Sequence, residues 1–191
     1  ISTKVKEKNV IDLDYSVKKN IFNLSEYLNK KPENLNACIL KRPRHDKIIA
    51  ELKDLKVKIK FISDGDVSGA LLVTDEKYSV DIFLGTGGGP EGVLAAAALD
   101  AFDCGFQGRF LFKTDKDKHR AKEMGIDDLT KKYDLNEIIK GDTIFCATGI
   151  TSGDLVSGIK IDKDKFISET LVTHKLSNLK KVVKLNQKIK R

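Results

Sequence analysis

The chain has 191 residues, 40 % of them hydrophobic and 33 % charged, with three cysteines and a formal net charge of +7. That is enough for one large domain, or one and a half small ones, with a real core, and it excludes a disulfide-stapled minidomain. The charge argues against a nucleic-acid-binding surface: Lys175, Lys180, Lys181, Lys184, Lys188, Lys190 and Arg191 equal the whole excess, and residues 1–174 balance to zero.

Cys38, Cys104 and Cys146 lie far apart in apolar stretches without CxxC spacing, so reduced, buried thiols in a cytoplasmic protein are expected. No apolar run approaches the roughly 18 residues a membrane span needs, and Ile1-Ser2-Thr3-Lys4 does not open a signal peptide. Ile1 stands where a methionine would start a chain, and Met124 is the sole methionine, so a processed, cut or truncated product is expected.

In chain order, Asp14 precedes a stripe of Val17, Ile21, Leu24 and Leu28 whose spacing predicts an amphipathic helix ending by Pro32. Ala37 to Leu40 reads as a buried strand. It leads through Lys41-Arg42-Pro43-Arg44-His45 into a helix carrying Ile48, Ile49, Leu52 and Leu55. The pattern repeats with a strand at Val57 to Ile62, a loop at Asp64-Gly65-Asp66, a short helix from Val67 to Val73 and a strand from Val80 to Leu84. Gly85-Thr86-Gly87-Gly88-Gly89 follows, and Pro90-Glu91 opens an alanine-rich helix through about Phe102. Further strands are expected at Arg109 to Phe112, Thr143 to Ala147 and Glu169 to Thr173, with a charged, exposed helix between Lys113 and Gly125. Val183, Leu185, Gln187 and Ile189 alternate with lysines, as in a strand with one wet face. The alternation predicts an α/β fold with a mainly parallel sheet flanked by helices and no internal domain boundary.

Ligands of such sheets gather beyond the carboxyl ends of the strands, where three polar loops fall. The four glycines of Gly85 to Glu91 let backbone N–H groups approach an anion, and the helix start adds the positive end of its dipole. No Lys-Ser/Thr follows, so this is not a P-loop, and Pro90 stands where a dinucleotide fingerprint needs its last glycine. A plain structural turn, with Glu91 serving the helix start, is the bland alternative. Arg42 and Arg44 flank Pro43, which fixes how two phosphate-matching guanidinium forks diverge; the same turn also reads as a solvated basic surface with Lys41 and His45 as neighbours. His45 reads as a helix-start residue rather than a ligand. Asp64 and Asp66 straddle Gly65 and suit sugar hydroxyls or a divalent cation, or equally a turn and an N-cap.

Taken in order, Lys41-Arg42-Pro43-Arg44-His45, Ser63-Asp64-Gly65-Asp66-Val67, Gly85-Thr86-Gly87-Gly88-Gly89-Pro90-Glu91-Gly92-Val93 and Ala147-Thr148-Gly149-Ile150-Thr151-Ser152-Gly153-Asp154-Leu155, with Gln107-Gly108-Arg109, resemble the class II fructose-1,6-bisphosphatase family. The resemblance runs from about Val10 to the tail and covers the C-terminal part of that family. It implies the C-terminal part of a layered sugar-phosphatase fold of the lithium-sensitive phosphatase superfamily, a cytoplasmic homo-oligomer and Mn2+ or Mg2+ as cofactor. By resemblance, Arg42, Pro43 and Arg44 hold the phosphate at the unreacting end of fructose 1,6-bisphosphate. Asp64, Gly65 and Asp66 bind the sugar, Gly88 contacts substrate near the metals, and Glu91 is a metal ligand. The family's Asp-Pro-x-Asp-Gly-Thr element belongs to an N-terminal metal-binding region, and no Asp-Pro occurs here. No catalytic residue is therefore assigned within this chain, and residues 1–191 alone are expected to lack useful hydrolytic activity. A sedoheptulose bisphosphatase, or a metal-independent sugar-phosphate or nucleotide-binding module, remains the alternative.

Overall fold

The computed structural model describes residues 1–188 and bears out the α/β class. Its elements are β1 (Ser2–Thr3), α1 (Val17–Tyr27), β2 (Asn36–Leu40), α2 (Asp46–Asp54), β3 (Lys58–Ile62), α3 (Asp66–Leu71), β4 (Ile82–Phe83), α4 (Gly89–Asp100), β5 (Gly105–Arg109), α5 (Asp115–Glu123), β6 (Lys132–Asp134), α6 (Leu135–Ile138), β7 (Ile144–Thr148), β8 (Lys160–Asp162), β9 (Lys165–His174) and β10 (Leu179–Lys188).

A six-stranded sheet in the order β3-β2-β4-β1-β5-β6 forms the centre. β2 pairs in parallel with both β3 and β4, while β1 runs antiparallel to β4 and β5, so β2 to β5 all point one way. The run Ala37 to Leu40 is continuously apolar because both faces of β2 are covered. Ala37 and Ile39 join Ile21, Leu24, Ile49, Leu52 and Ile82 in one buried cluster beneath α1 and α2. Cys38 and Leu40 join Ala70, Leu71, Leu72, Phe83 and Leu99 in the other, beneath α3 and α4.

On its far side the second cluster takes in Phe145 and Leu171 of an antiparallel sheet, in which β9 is paired with β10 along one edge and with β7 and β8 along the other. Helix α4 therefore lies between two sheets. Its Ala95 to Leu99 are all buried, and alanine keeps the helix slim enough for that place.

The structure moves several predicted boundaries. Ser16, not Asp14, caps α1, its hydroxyl accepting from Lys19 N–H. The strand expected at Arg109 to Phe112 ends at Arg109, because Thr3 and Ser2 of β1 and Lys132 to Asp134 of β6 offer backbone partners only to residues 105–109. Helix α5 is as exposed as expected and is closed by a Thr114/Asp117 capping box. The tail strand forms, but β10 is wet on both faces rather than one; the predicted position Ile189 lies outside the described residues. Cys38 and Cys104 are buried and free, whereas Cys146 on β7 is exposed, a correction to the expectation of three buried thiols.

Candidate functional site

Because β2, β3 and β4 are parallel neighbours, their C-terminal ends lie along one edge of the sheet and the following loops meet there. After β2, Pro43 opens a short 3-10 turn, Pro43–His45, that leads straight into α2. After β3, Gly65 turns the chain with a φ of 86°, a left-handed conformation that glycine adopts freely, and Asp66 becomes the first residue of α3. After β4, the glycine loop reaches α4 with Gly88 as N-cap.

The third loop is gripped by the first. Thr86 N–H donates to His45 Nε2 at 2.9 Å, and Arg44 Nε donates to Thr86 O at 2.6 Å. His45 is the helix-start residue foreseen, but it is fully buried rather than a surface neighbour, and its Nδ1 lies 2.8 Å from Leu40 O. The sequence carries no pattern that separates such a histidine from a solvated one.

Two glycines are closely approached by carboxylates, which a Cβ there would displace. A Cβ on Gly87 would overlap the Asp66 carboxylate, and a Cβ on Gly88 would overlap the Glu91 carboxylate, which folds back over the helix start. Arg44, Asp66, Gly88 and Glu91 thus face one cleft of about 850 Å³. β5 and the segment after it, including Arg109 and Lys113, also line the cleft.

Arg109 Nη2 donates to Asp14 Oδ1 at 2.6 Å, and Lys132 Nζ lies 3.0 Å from the other Asp14 oxygen. The Lys132 ammonium first, and the Arg109 guanidinium second, hold the Asp14 carboxyl below the usual range. Arg109 Nε is buried without a hydrogen-bond partner among the described residues.

Four other predicted residues stand off the cleft wall. Arg42 is extended, its Nη1 directed at Lys41 O at 3.4 Å. Pro43 is spent on the 3-10 turn. Asp64 turns its carboxylate back onto Gly65 N–H at 2.9 Å, and Gly65 serves the bend itself. The fourth string, Ala147 to Leu155, is also absent from the wall; Asp154 Oδ1 instead meets Lys60 Nζ of β3 at 3.0 Å.

The profile of a family described as "Bacterial fructose-1,6-bisphosphatase, glpX-encoded" matches residues 1–187. The chain belongs to this family. It is 37 % identical over 179 residues to the "Fructose-1,6-bisphosphatase 1 class 2" of Escherichia coli K12, covering 86 % of this chain and 53 % of that protein. It is 34 % identical over 179 residues to the "D-fructose 1,6-bisphosphatase class 2/sedoheptulose 1,7-bisphosphatase" of Trichodesmium erythraeum, covering 86 % and 52 %. The chain therefore spans about half the length of the curated relatives it matches.

For a glpX-type chain, the cleft supplies few metal donors. Among the described residues no three His, Cys, Asp or Glu side chains stand close enough to hold a metal ion. Oxygen-ligated divalent cations take six or more donors, and Glu91 with its neighbours does not complete such a set. These residues by themselves do not fit a metal centre. No helix of the described residues is long and apolar enough to cross a membrane.

Proposed function

We propose that this chain forms the substrate-gripping half of a sugar bisphosphatase that hydrolyses fructose 1,6-bisphosphate to fructose 6-phosphate and phosphate, a gluconeogenic step. One observation carries the reading: Arg44, Asp66, Gly88 and Glu91, from three separate loops, line one cleft. In it, the N–H groups of Gly89 and Glu91 and the α4 dipole face a phosphate. The Arg44 guanidinium has nitrogens left over after holding Thr86 and takes the phosphate at the other end of the sugar. Asp66 accepts from sugar hydroxyls.

Arg42, Pro43, Asp64 and Gly65 belong to the same grip, shaping the two turns that carry Arg44 and Asp66. Glu91 contributes one carboxylate to a centre of Mn2+ or Mg2+ whose other ligands come from the N-terminal region of the whole enzyme. A homo-oligomer in the cytoplasm is part of this reading; the three free cysteines suit a reducing compartment and bear on the cytoplasm alone. The Trichodesmium relative's name favours a seven-carbon bisphosphate as second substrate.

The test joins this chain to the N-terminal half and assays phosphate release. Arg44→Ala removes a charge-assisted contact of roughly 1.5–3 kcal/mol and raises KM about ten- to a hundredfold with kcat little changed. Glu91→Ala depresses kcat instead. Unaltered kinetics in both variants, or wild-type turnover by the 191-residue chain alone, would refute the assignment.

A further inference from the structure

In the reading proposed above the glycine loop is the element that meets a phosphate, yet it has no regular structure of its own. Residues 84–88 form no regular secondary structure, and a glycine-rich backbone loses the most freedom when it is fixed. Its order comes from outside, through the Thr86 peptide. Arg44 Nε grips the carbonyl at 2.6 Å, from an exposed side chain. His45 Nε2 grips the N–H at 2.9 Å, from the fully buried start of α2.

The hydrogen-bond pattern fixes the state of that ring. Thr86 N–H only donates, so Nε2 must be bare, while Leu40 O only accepts, so Nδ1 at 2.8 Å must carry the proton. A single neutral tautomer satisfies both. The imidazole thus links the last residue of β2 to the glycine loop after β4, His45 and Thr86 standing 41 positions apart in sequence.

We propose that His45 is a positioning residue for anion binding: by holding Thr86, it presets the N–H groups of Gly87, Gly88, Gly89 and Glu91 at the start of α4 for a phosphate group. This rests on the phosphate-binding reading of the loop given above. Preordering is the mechanism: a loop already fixed does not spend binding free energy on being fixed.

The experiment uses the full chain, inorganic phosphate as probe and two variants that each keep half of the ring's bonding. In His45→Asn the amide replaces Nδ1 and keeps Leu40, but nothing reaches Thr86. In His45→Gln an oxygen replaces Nε2 and keeps Thr86. By titration calorimetry, His45→Asn should weaken phosphate binding about tenfold, and His45→Gln by no more than about threefold. Hydrogen exchange at the Thr86 amide should accelerate in the Asn variant alone. A role in packing only would move both variants together; equal affinities and equal exchange overturn the proposal while leaving wild-type phosphate binding intact. Absence of phosphate binding by the wild-type chain overturns the phosphate reading and this proposal with it. Where the variants fail to fold, nitrogen NMR of the wild-type ring decides: the Nδ1–H neutral tautomer supports the proposal, and any other state overturns it.

Discussion

The six-stranded sheet is covered on both faces along β2 and β4, whereas the four-stranded sheet buries Phe145 and Leu171 on one face and leaves Ile144, Ile161, Val183 and Leu185 on the other exposed. The first sheet carries the cleft. Strands buried on both sides have one register and one height, so the loops that leave them start from fixed points. The second sheet supplies a wall behind α4, and none of its own turns lines the cleft. Arg44 and Gly88 leave strands that are buried, whereas Asp66 leaves the edge strand β3, which has no buried residue, and owes its place to the Gly65 turn and the start of α3.

Replacing the same residue type in each region tests that contrast most strongly. Leu24 is fully buried under the first sheet, and Leu24→Ala should cost about 3 kcal/mol through lost burial and a cavity. Leu185 on β10 is 48 % exposed, and Leu185→Ala should cost no more than about 0.5 kcal/mol. Urea unfolding of both variants gives the two values. Equal losses would mean that the exposed sheet is as tightly covered in solution as the buried one.

Thiols provide a second contrast, smaller and dependent on pH. Burial pushes the Cys38 thiol up to about 12 and the Cys104 thiol to about 11, from an ordinary 9.0. Each is protonated in the folded chain while its unfolded form ionises, so the stability they contribute is complete below pH 9 and is lost as pH rises through 11 and 12. The slope is about 1.4 kcal/mol per pH unit for each thiol. Urea midpoints should fall between pH 9 and 11, and Cys38→Ala should flatten that fall. At pH 8, iodoacetamide should label the exposed Cys146 alone until the chain is unfolded.

How much was legible in the sequence follows from the same contrast. Ala37 to Leu40 and Ala95 to Leu99 announce themselves because burial on all sides demands unbroken apolar or small residues. Ser2–Thr3 and Lys132–Asp134 do not, because two- and three-residue strands are made by partners distant in the chain and carry no period of their own. Phe110 to Phe112 look more like a strand than Gly105 to Arg109, yet only the latter has edges to pair with. At the cleft, residue type revealed Arg44, Asp66 and Glu91. It left the directions of Arg42 and Asp64 open, since these depend on backbone torsions at single turn positions.

The smallest effect is expected where the two regions touch. Asp154 is the next-to-last residue of the fourth family-like string, and its one ion pair among the described residues reaches Lys60 on β3, the outermost strand of the first sheet. The side chains are 34 % and 43 % exposed, so water screens the pair and ordering two flexible side chains offsets much of the attraction. A double-mutant cycle with Lys60→Ala and Asp154→Ala should return a coupling of about 0.5 kcal/mol, shrinking further in 1 M salt. The loop of residues 149–158 has its own support, since Glu169 Oε2 accepts from Ser157 N–H at 2.8 Å and Ser152 Oγ accepts from Gly158 N–H at 3.0 Å. Its fold therefore does not depend on Lys60. A coupling above about 2 kcal/mol would mean that the surface pair holds the second sheet against the first, and the loop's place beside β3 would then be set by charge rather than by the buried face of β7 and β9.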